Sequence, residues 1–166
     1  MDSREHEQGG SMAEPDLLER LHQRVLREFL ARGQAPTYLD LARAEGLPPE
    51  EARQALRDLM AAVPGCWQHP GTDHIVSYAP FNNLPTWHRV TVEGEQKWTA
   101  QCGFESLAVT HLFPGKEVTI DSLCRDCTEP VRVTMRDGAV LRLDPPEAVG
   151  HSNLPLARWF DDFAAT

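Results

Sequence analysis

The chain has 166 residues, of which 41% are hydrophobic, and it carries a formal net charge of -9. This length and composition suit one domain of ordinary size, or two small ones, with a buried core. The acidic surplus disfavours nucleic acid as a partner, and no apolar run approaches the roughly 18 residues that a membrane span needs.

The first 15 residues predict no regular structure. They are polar and acidic, contain Gly9-Gly10, and show neither apolar periodicity nor the features of a signal peptide. We therefore expect residues 1–15 to be a disordered leader and the protein to be cytoplasmic. Four cysteines are too few for a disulfide scaffold, so thiol or metal chemistry is the role to consider for them.

Three helices are predicted after the leader. Apolar residues recur every three or four positions from Asp16, which is placed to cap the first helix, to Gly33, which ends it. Thr37 and Asp40 have the spacing of a capping box at the start of a short second helix. Pro49 stands in the first turn of the third.

A hairpin is predicted next, because CWQHPGTDHIVSY has strand patterns on both sides of a Pro-Gly turn. Three helices followed by a hairpin is the order of a winged helix-turn-helix, so residues 16–80 are predicted to form a winged-helix-like module. Its third helix has no surplus of basic side chains for phosphate contacts. A structural supporting role is therefore favoured over DNA binding.

Residues 81–166 predict a second unit, a small and mostly antiparallel β-sheet with one packed helix. Alternation around Glu93-Gly94 indicates a hairpin, and further strand patterns follow in KEVTIDSLCRDCTEPVRVTMRDGAVLRL. Between them, helical spacing predicts a helix that begins at Cys102. The tail LARWFDDFAAT predicts one or two last amphipathic turns. The predicted fold class is α+β.

Cys102 is the first candidate for chemistry. A thiol at a helix N-terminus feels the partial positive charge of unpaired N–H groups, which lowers its pKa and favours the thiolate. Glu105 follows on the same helical face. Its carboxyl group would favour the thiol over the thiolate if ionised nearby, and could deliver a proton to the same small molecule if kept neutral by burial. On spacing alone, a small buried cysteine at a strand–helix corner explains the pattern better.

Cys124 and Cys127, in LCRDC, are the second candidate. Two thiolates this close in a turn can converge on one soft metal ion. A structural Zn(II) site needs four ligands, so Cys102 and His111 would have to complete it, whereas three thiols together would suit Hg(II). The alternative is a reduced pair at a strand turn. Cys66, next to a tryptophan, is expected to be buried rather than reactive.

The order of these landmarks resembles the alkylmercury (organomercurial) lyase family over roughly residues 17–155. The resemblance is carried by WTAQCGFESL, then HLFPGKEVTIDSLCRDCTEPVRVTM, then LRLDPPEAV. It implies that Cys102 is the catalytic cysteine and that Cys124 is a further, mainly structural one. It also implies that Glu105 stands where the family has a catalytic aspartate, which keeps the acid but lengthens its reach by one methylene.

What the family implies is protonolysis of a carbon–mercury bond in a small-molecule substrate, with no required cofactor. Thiolates hold the mercury, a carboxyl group delivers a proton to the carbon, and Hg(II) passes to a low-molecular-weight thiol. The family's second catalytic cysteine lies in a C-terminal segment, but here no cysteine follows Cys127. Cys127, or Cys124 with it, is expected to serve as the second thiol if the activity is kept.

Two other functions stay open at this stage. One is a lyase or hydrolase of the same fold that acts on a non-mercury organic metabolite. The other is a metal-binding or thiol-sensing regulatory protein without catalysis, which zinc bound to Cys124 and Cys127 would favour. Cys102 can share one soft ion with these two only if the sulfurs lie within roughly 4–5 Å, since metal–sulfur bonds are about 2.3 Å long.

Overall fold

A computed structural model of the chain describes residues 13–152, Pro155 and Arg158. Most of the predicted leader and nearly all of the predicted tail helix lie outside these residues. The helices are α1 (Pro15–Arg32), α2 (Tyr38–Glu45), α3 (Pro49–Ala62) and α4 (Gly103–Ala108), followed by a 3-10 turn at Val109–Leu112. The strands are β1 (Trp67–Gln68), β2 (Ile75–Tyr78), β3 (Phe81–Asn82), β4 (Arg89–Val92), β5 (Glu95–Ala100), β6 (Val118–Leu123), β7 (Pro130–Arg136) and β8 (Ala139–Asp144).

The helix ends follow the local sequence closely, with one exception. Gly33 ends α1 in the left-handed conformation at φ 72°, and its N–H donates to the carbonyl of Phe29. Thr37 and Asp40 form the predicted capping box, with hydrogen bonds in both directions. The prediction that Asp16 caps α1 is wrong, because α1 begins one residue earlier at Pro15 and Asp16 lies within its first turn.

All eight strands form one antiparallel sheet in the order β1-β2-β3-β5-β4-β6-β7-β8. The predicted hairpins appear as β1–β2 and β4–β5. After β5 the chain passes through α4 and returns as β6 on the other side of β4. The α+β class is confirmed, and none of the described helices has the length and apolarity to cross a membrane.

The helices and the sheet share one hydrophobic core. The rings of Phe29 in α1 and Phe81 in β3 stack with their centroids 5.2 Å apart, and both side chains are fully buried. The indole N–H of Trp98 in β5 donates to the carbonyl of Phe29 at 2.7 Å. Because Trp98 also contacts the ring of Phe113 edge-on, it ties α1 to the segment that follows α4.

Candidate active site

Cys102 lies where β5 ends and α4 begins. Its backbone is extended, and its Sγ accepts a hydrogen bond from the N–H of Glu105 at 3.4 Å, so the thiol itself caps the helix. The predicted helix start at this residue is confirmed. The helix is shorter than predicted, with 6 residues before the 3-10 turn at Val109–Leu112. β-Branched Val109 and Thr110, which are weak helix formers, stand at this change.

The protonation of Cys102 differs from the expectation. Burial raises its pKa above the ordinary thiol value, and the nearby charge and carboxyl of Glu105 act in the same direction. The backbone N–H groups of Glu105 and Phe104 lower the pKa, but by less. The prediction of a lowered pKa is wrong, because desolvation outweighs the helix-start N–H groups. Cys102 is therefore a thiol at neutral pH and needs a proton acceptor before it can bind a soft metal.

Glu105 is the residue beside Cys102 that can accept this proton. Burial raises its pKa to about 7, partly opposed by the hydrogen bond from the Cys102 thiol. Its Oε2 is buried and has no hydrogen-bond partner among the described residues. The carboxyl group borders a cavity of about 300 Å³ whose other lining residues are apolar: Ala79, Pro80, Ala108 and Leu112. A carboxyl with a pKa near neutrality can both take and give a proton under physiological conditions.

Cys124 and Cys127 lie in the turn between β6 and β7. Backbone N–H groups of Cys127 and Asp126 lower the pKa of Cys124, and the Cys127 side chain adds to this. For Cys127, a backbone contact with Glu129 lowers the pKa, but the neighbouring Cys124 thiolate and partial desolvation raise it overall. Of the two thiols, Cys124 is therefore the more readily ionised.

The three predicted metal ligands are not assembled around one point. Across residues 13–152, no group of three or more His, Cys, Asp or Glu side chains is arranged to hold a metal ion. Cys102 caps α4, whereas Cys124 and Cys127 belong to a separate turn. The roles of these three cysteines as ligands of Hg(II) or Zn(II) stay predictions.

The structure adds His88 to the surroundings of Cys102. Its Nδ1 is 2.8 Å from the hydroxyl of Ser122 in β6. A side chain built at Gly103 would meet the His88 ring at 3.6 Å, which places the imidazole against the first turn of α4. Burial, assisted by Arg125, lowers the pKa of His88, so the ring is neutral at pH 7.

The negative charge of Glu105 also acts on a second thiol, that of Cys66. Cys66 is half-buried, as expected, and burial raises its pKa to about 11, with a further contribution from the negative charge of Glu105. The Cys66 thiol donates a hydrogen bond to the carbonyl of Pro64 at 3.8 Å, and the backbone of Ala79, which lines the cavity, lowers the pKa of this thiol. Glu105 contacts the Cys102 thiol through its backbone N–H, whereas its charge alone acts on Cys66. No local sequence signal could show the effect on Cys66, because the two residues are far apart in the chain.

The sequence model of the alkylmercury lyase family matches residues 81–166, which is more than half of the chain and includes Cys102, Glu105 and the CRDC turn. The chain belongs to the alkylmercury lyase family. The resemblance found in the sequence is thereby confirmed.

Relatives within this family include the alkylmercury lyases of Bacillus cereus and Clostridium butyricum, each 29% identical over 126 residues. The alkylmercury lyase of Staphylococcus epidermidis is 31% identical over 126 residues. These matches cover 76% of this chain but only 54% to 55% of the relatives, so the chain spans about half of their length. A crystal structure of the mercury-bound form of MerB2 matches with a TM-score of 0.63 and 21% identity, over 80% of this chain and 62% of that one. This last similarity shows that the fold is shared.

Proposed function

We propose that this member of the alkylmercury lyase family cleaves the carbon–mercury bond of a small organomercurial by protonolysis. The observation that supports it is the pair formed by Cys102 and Glu105. The backbone N–H of Glu105 donates to the Cys102 sulfur at 3.4 Å, the Glu105 carboxyl group has a pKa of about 7, and Glu105 lines a cavity whose other lining residues are apolar. An alkyl- or arylmercury cation combines the two chemistries that such a site accommodates, a soft metal and an apolar group.

The reaction begins with proton transfer from the Cys102 thiol to the Glu105 carboxylate. The resulting thiolate bonds to mercury, and the counter-ion or thiolate that came with the substrate leaves. Glu105, now a carboxylic acid, then protonates the carbon as the carbon–mercury bond breaks, so the hydrocarbon departs and Hg(II) stays on sulfur. A low-molecular-weight thiol accepts the metal afterwards, because exchange between thiolates of similar softness is reversible.

The position of Glu105 explains why one carboxyl group can serve both steps. Its backbone N–H holds the Cys102 sulfur at 3.4 Å, while its side chain interacts with the same thiol. Proton donor, proton acceptor and metal ligand thus belong to one helix turn and share one orientation. Such fixed proximity is worth more than the strength of any single contact.

We further propose that α1 to α3 and the β1–β2 hairpin form a winged-helix-like support rather than a DNA reader. Arg53 and Arg57, the two basic residues of α3, both pair with Asp73, at 3.3 Å and 2.7 Å. Their charges are therefore partly neutralised within the protein instead of being presented to phosphate. A cytoplasmic location fits the proposed chemistry, since it requires reduced thiols.

The test is release of hydrocarbon from phenylmercuric acetate by the reduced full chain in the presence of excess monothiol, followed by gas chromatography. Cys102→Ser should abolish release, because a hydroxyl is a poor ligand for mercury. Glu105→Gln should slow the uptake of mercury by Cys102, because the proton acceptor is lost, and should slow hydrocarbon release by roughly 100-fold to 10,000-fold, the usual contribution of a positioned acid. Glu51→Gln, which changes an exposed glutamate of α3, is the matched control. Equal rates for wild type and Cys102→Ser would refute the proposal.

A further inference from the structure

We propose that Cys124 and Cys127 are a redox-active pair, which is oxidised to a disulfide by exchange with a low-molecular-weight disulfide. The pair lies in the turn between β6 and β7. Cys127 is exposed and Cys124 is partly exposed, so a small disulfide in solution can reach the turn. This chemistry needs neither Cys66 nor Cys102, and it does not depend on the proposed cleavage of a carbon–mercury bond.

The backbone of the turn brings the two cysteines together. The N–H of Thr128 donates to the carbonyl of Cys124 at 2.9 Å, which closes a single helical turn over residues 124–127. In a helical turn the Cα atoms of residues three apart are about 5 Å from each other. A disulfide needs Cα atoms roughly 4.4 to 6.8 Å apart, so this spacing suits one. The two thiol groups also interact with each other.

The sheet fixes both ends of this turn. The N–H of Cys124 donates to the carbonyl of Glu129 at 2.8 Å, and Leu123 is paired with Pro130 at the ends of β6 and β7. Because the backbone is already ordered when the thiols are reduced, closing the disulfide costs little conformational entropy. A disulfide across so short a loop also adds less stability than one across a long loop, so thiols can reduce it again.

The backbone of Thr128 indicates that this turn is specialised. Its φ is 63°, a left-handed conformation that a β-branched residue rarely adopts. Strain of this kind is concentrated where a fixed local geometry serves a function. Here it allows the chain to leave the helical turn directly after Cys127 and to enter β7, which keeps the two cysteines at their spacing.

A disulfide fits these two cysteines better than a metal ion does. A structural Zn(II) site takes four ligands, whereas no group of three or more His, Cys, Asp or Glu side chains that could hold a metal is found among the residues that the structure describes. A disulfide needs only the two sulfur atoms. In reducing compartments such disulfides are usually transient and serve catalysis or redox sensing.

The exchange balances with the low-molecular-weight disulfide as the oxidant. One thiolate of the pair attacks a sulfur of this disulfide, whose sulfur–sulfur bond breaks, and one small thiolate leaves. The second protein thiolate then attacks the protein sulfur of the mixed disulfide, which forms the bond between Cys124 and Cys127 and releases the other small thiolate. Two electrons pass from the protein to the oxidant, and the two protons lost by the protein thiols end on the released thiols.

The experiment uses glutathione disulfide as the probe. The reduced, metal-free full chain is incubated with an excess of it, alkylated with N-ethylmaleimide and digested with trypsin. Cleavage after Lys116, Arg125 and Arg132 places the two cysteines in the separate peptides 117–125 and 126–132. A disulfide between them therefore appears in mass spectrometry as one linked pair of peptides, which is the result expected for the wild type.

Cys66→Ser is the matched control and should form the same linked pair. In Cys124→Ser and Cys127→Ser, the remaining cysteine of the turn should keep glutathione, and this mixed disulfide should be at least roughly tenfold more abundant than in the wild type, because the resolving thiol is missing. Thermal unfolding checks that each variant is folded, and the wild-type result does not depend on the variants.

Three results would overturn the inference. In the first, the wild type leaves both cysteines of the turn unmodified or keeps glutathione on them without forming the linked pair. In the second, either cysteine is linked to Cys66 or Cys102 instead. In the third, the protein as purified holds one equivalent of zinc, which both serine variants of the turn lose and which prevents the wild type from reacting with glutathione disulfide.

Discussion

Replacing Glu105 with glutamine tests whether the folded protein holds this carboxyl group partly protonated near neutral pH. Burial raises its pKa from 4.5 to about 7. The folded state therefore binds a proton that the unfolded chain has already lost, so Glu105 favours folding at low pH. This contribution is complete below the unfolded value of 4.5 and disappears as the pH rises through about 7.

The size of this pH-dependent change in unfolding free energy follows from the pKa shift of Glu105. Between about pH 5.5 and 8.5 the unfolded carboxyl is ionised throughout, whereas the folded one passes from mostly protonated to mostly ionised. At about 1.4 kcal/mol per pKa unit, the wild type should lose about 2 kcal/mol of unfolding free energy over this interval from Glu105 alone. Since the side chain is only partly buried, solvent screening reduces this to between about 1 and 2 kcal/mol.

The assay is urea unfolding of wild type and Glu105→Gln at both pH values. Glutamine does not titrate, so the variant should lack this part of the pH dependence, while the histidines and other titrating groups contribute alike to both proteins. The informative quantity is the difference between the two pH dependences. If wild type and variant change equally between the two pH values, Glu105 is not held protonated by burial and the reasoning is wrong.

Three further predictions concern packing and thiol reactivity. Gly33→Ala should destabilise the protein by at least about 1 kcal/mol more than Gly46→Ala in thermal unfolding. Both glycines have positive φ, but of the two only Gly33 has backbone close by: its new Cβ would lie 2.5 Å from the carbonyl oxygen of Lys97. Trp98→Phe should cost about 1 to 3 kcal/mol in urea unfolding, since it removes a 2.7 Å hydrogen bond and fills less of the core. At pH 7, iodoacetamide should modify Cys124 well before Cys66, because backbone N–H groups lower the pKa of Cys124 while burial raises that of Cys66 to about 11; mass spectrometry showing the reverse order would contradict these assignments.

Local features of the fold could be predicted where neighbouring residues alone decide them. The capping box of Thr37 and Asp40, the glycine end of α1 at Gly33 and the start of α4 at Cys102 all depend on residues within one helix turn. The hairpins were predictable for the same reason, since alternation and turn residues lie side by side in the chain. The exact start of α1 was missed because Pro15 and Asp16 are both suited to a first turn.

The site was only partly predictable. The choice of Cys102 and Glu105 followed from their spacing at a helix start and from the family resemblance. The sign of the Cys102 pKa shift could not be predicted from spacing or resemblance, because it depends on how far the surrounding structure removes the thiol from water. The dielectric surroundings of a group are a property of everything packed around it.

What the sequence by itself determined is therefore the three N-terminal helices, the two hairpins, the α+β class, the helix start at Cys102 with a carboxyl group three residues away, and the family. The tertiary structure alone decided that Glu105 is buried enough to have a pKa of about 7, that the charge of Glu105 acts on Cys66, and that no three candidate ligands among the described residues form a metal-binding group. The physical reason is the separation along the chain between the residues that take part in each kind of interaction. Helix caps and tight turns depend on near neighbours in the chain, whereas desolvation and convergence of side chains depend on elements that are distant in sequence and packed together in the fold.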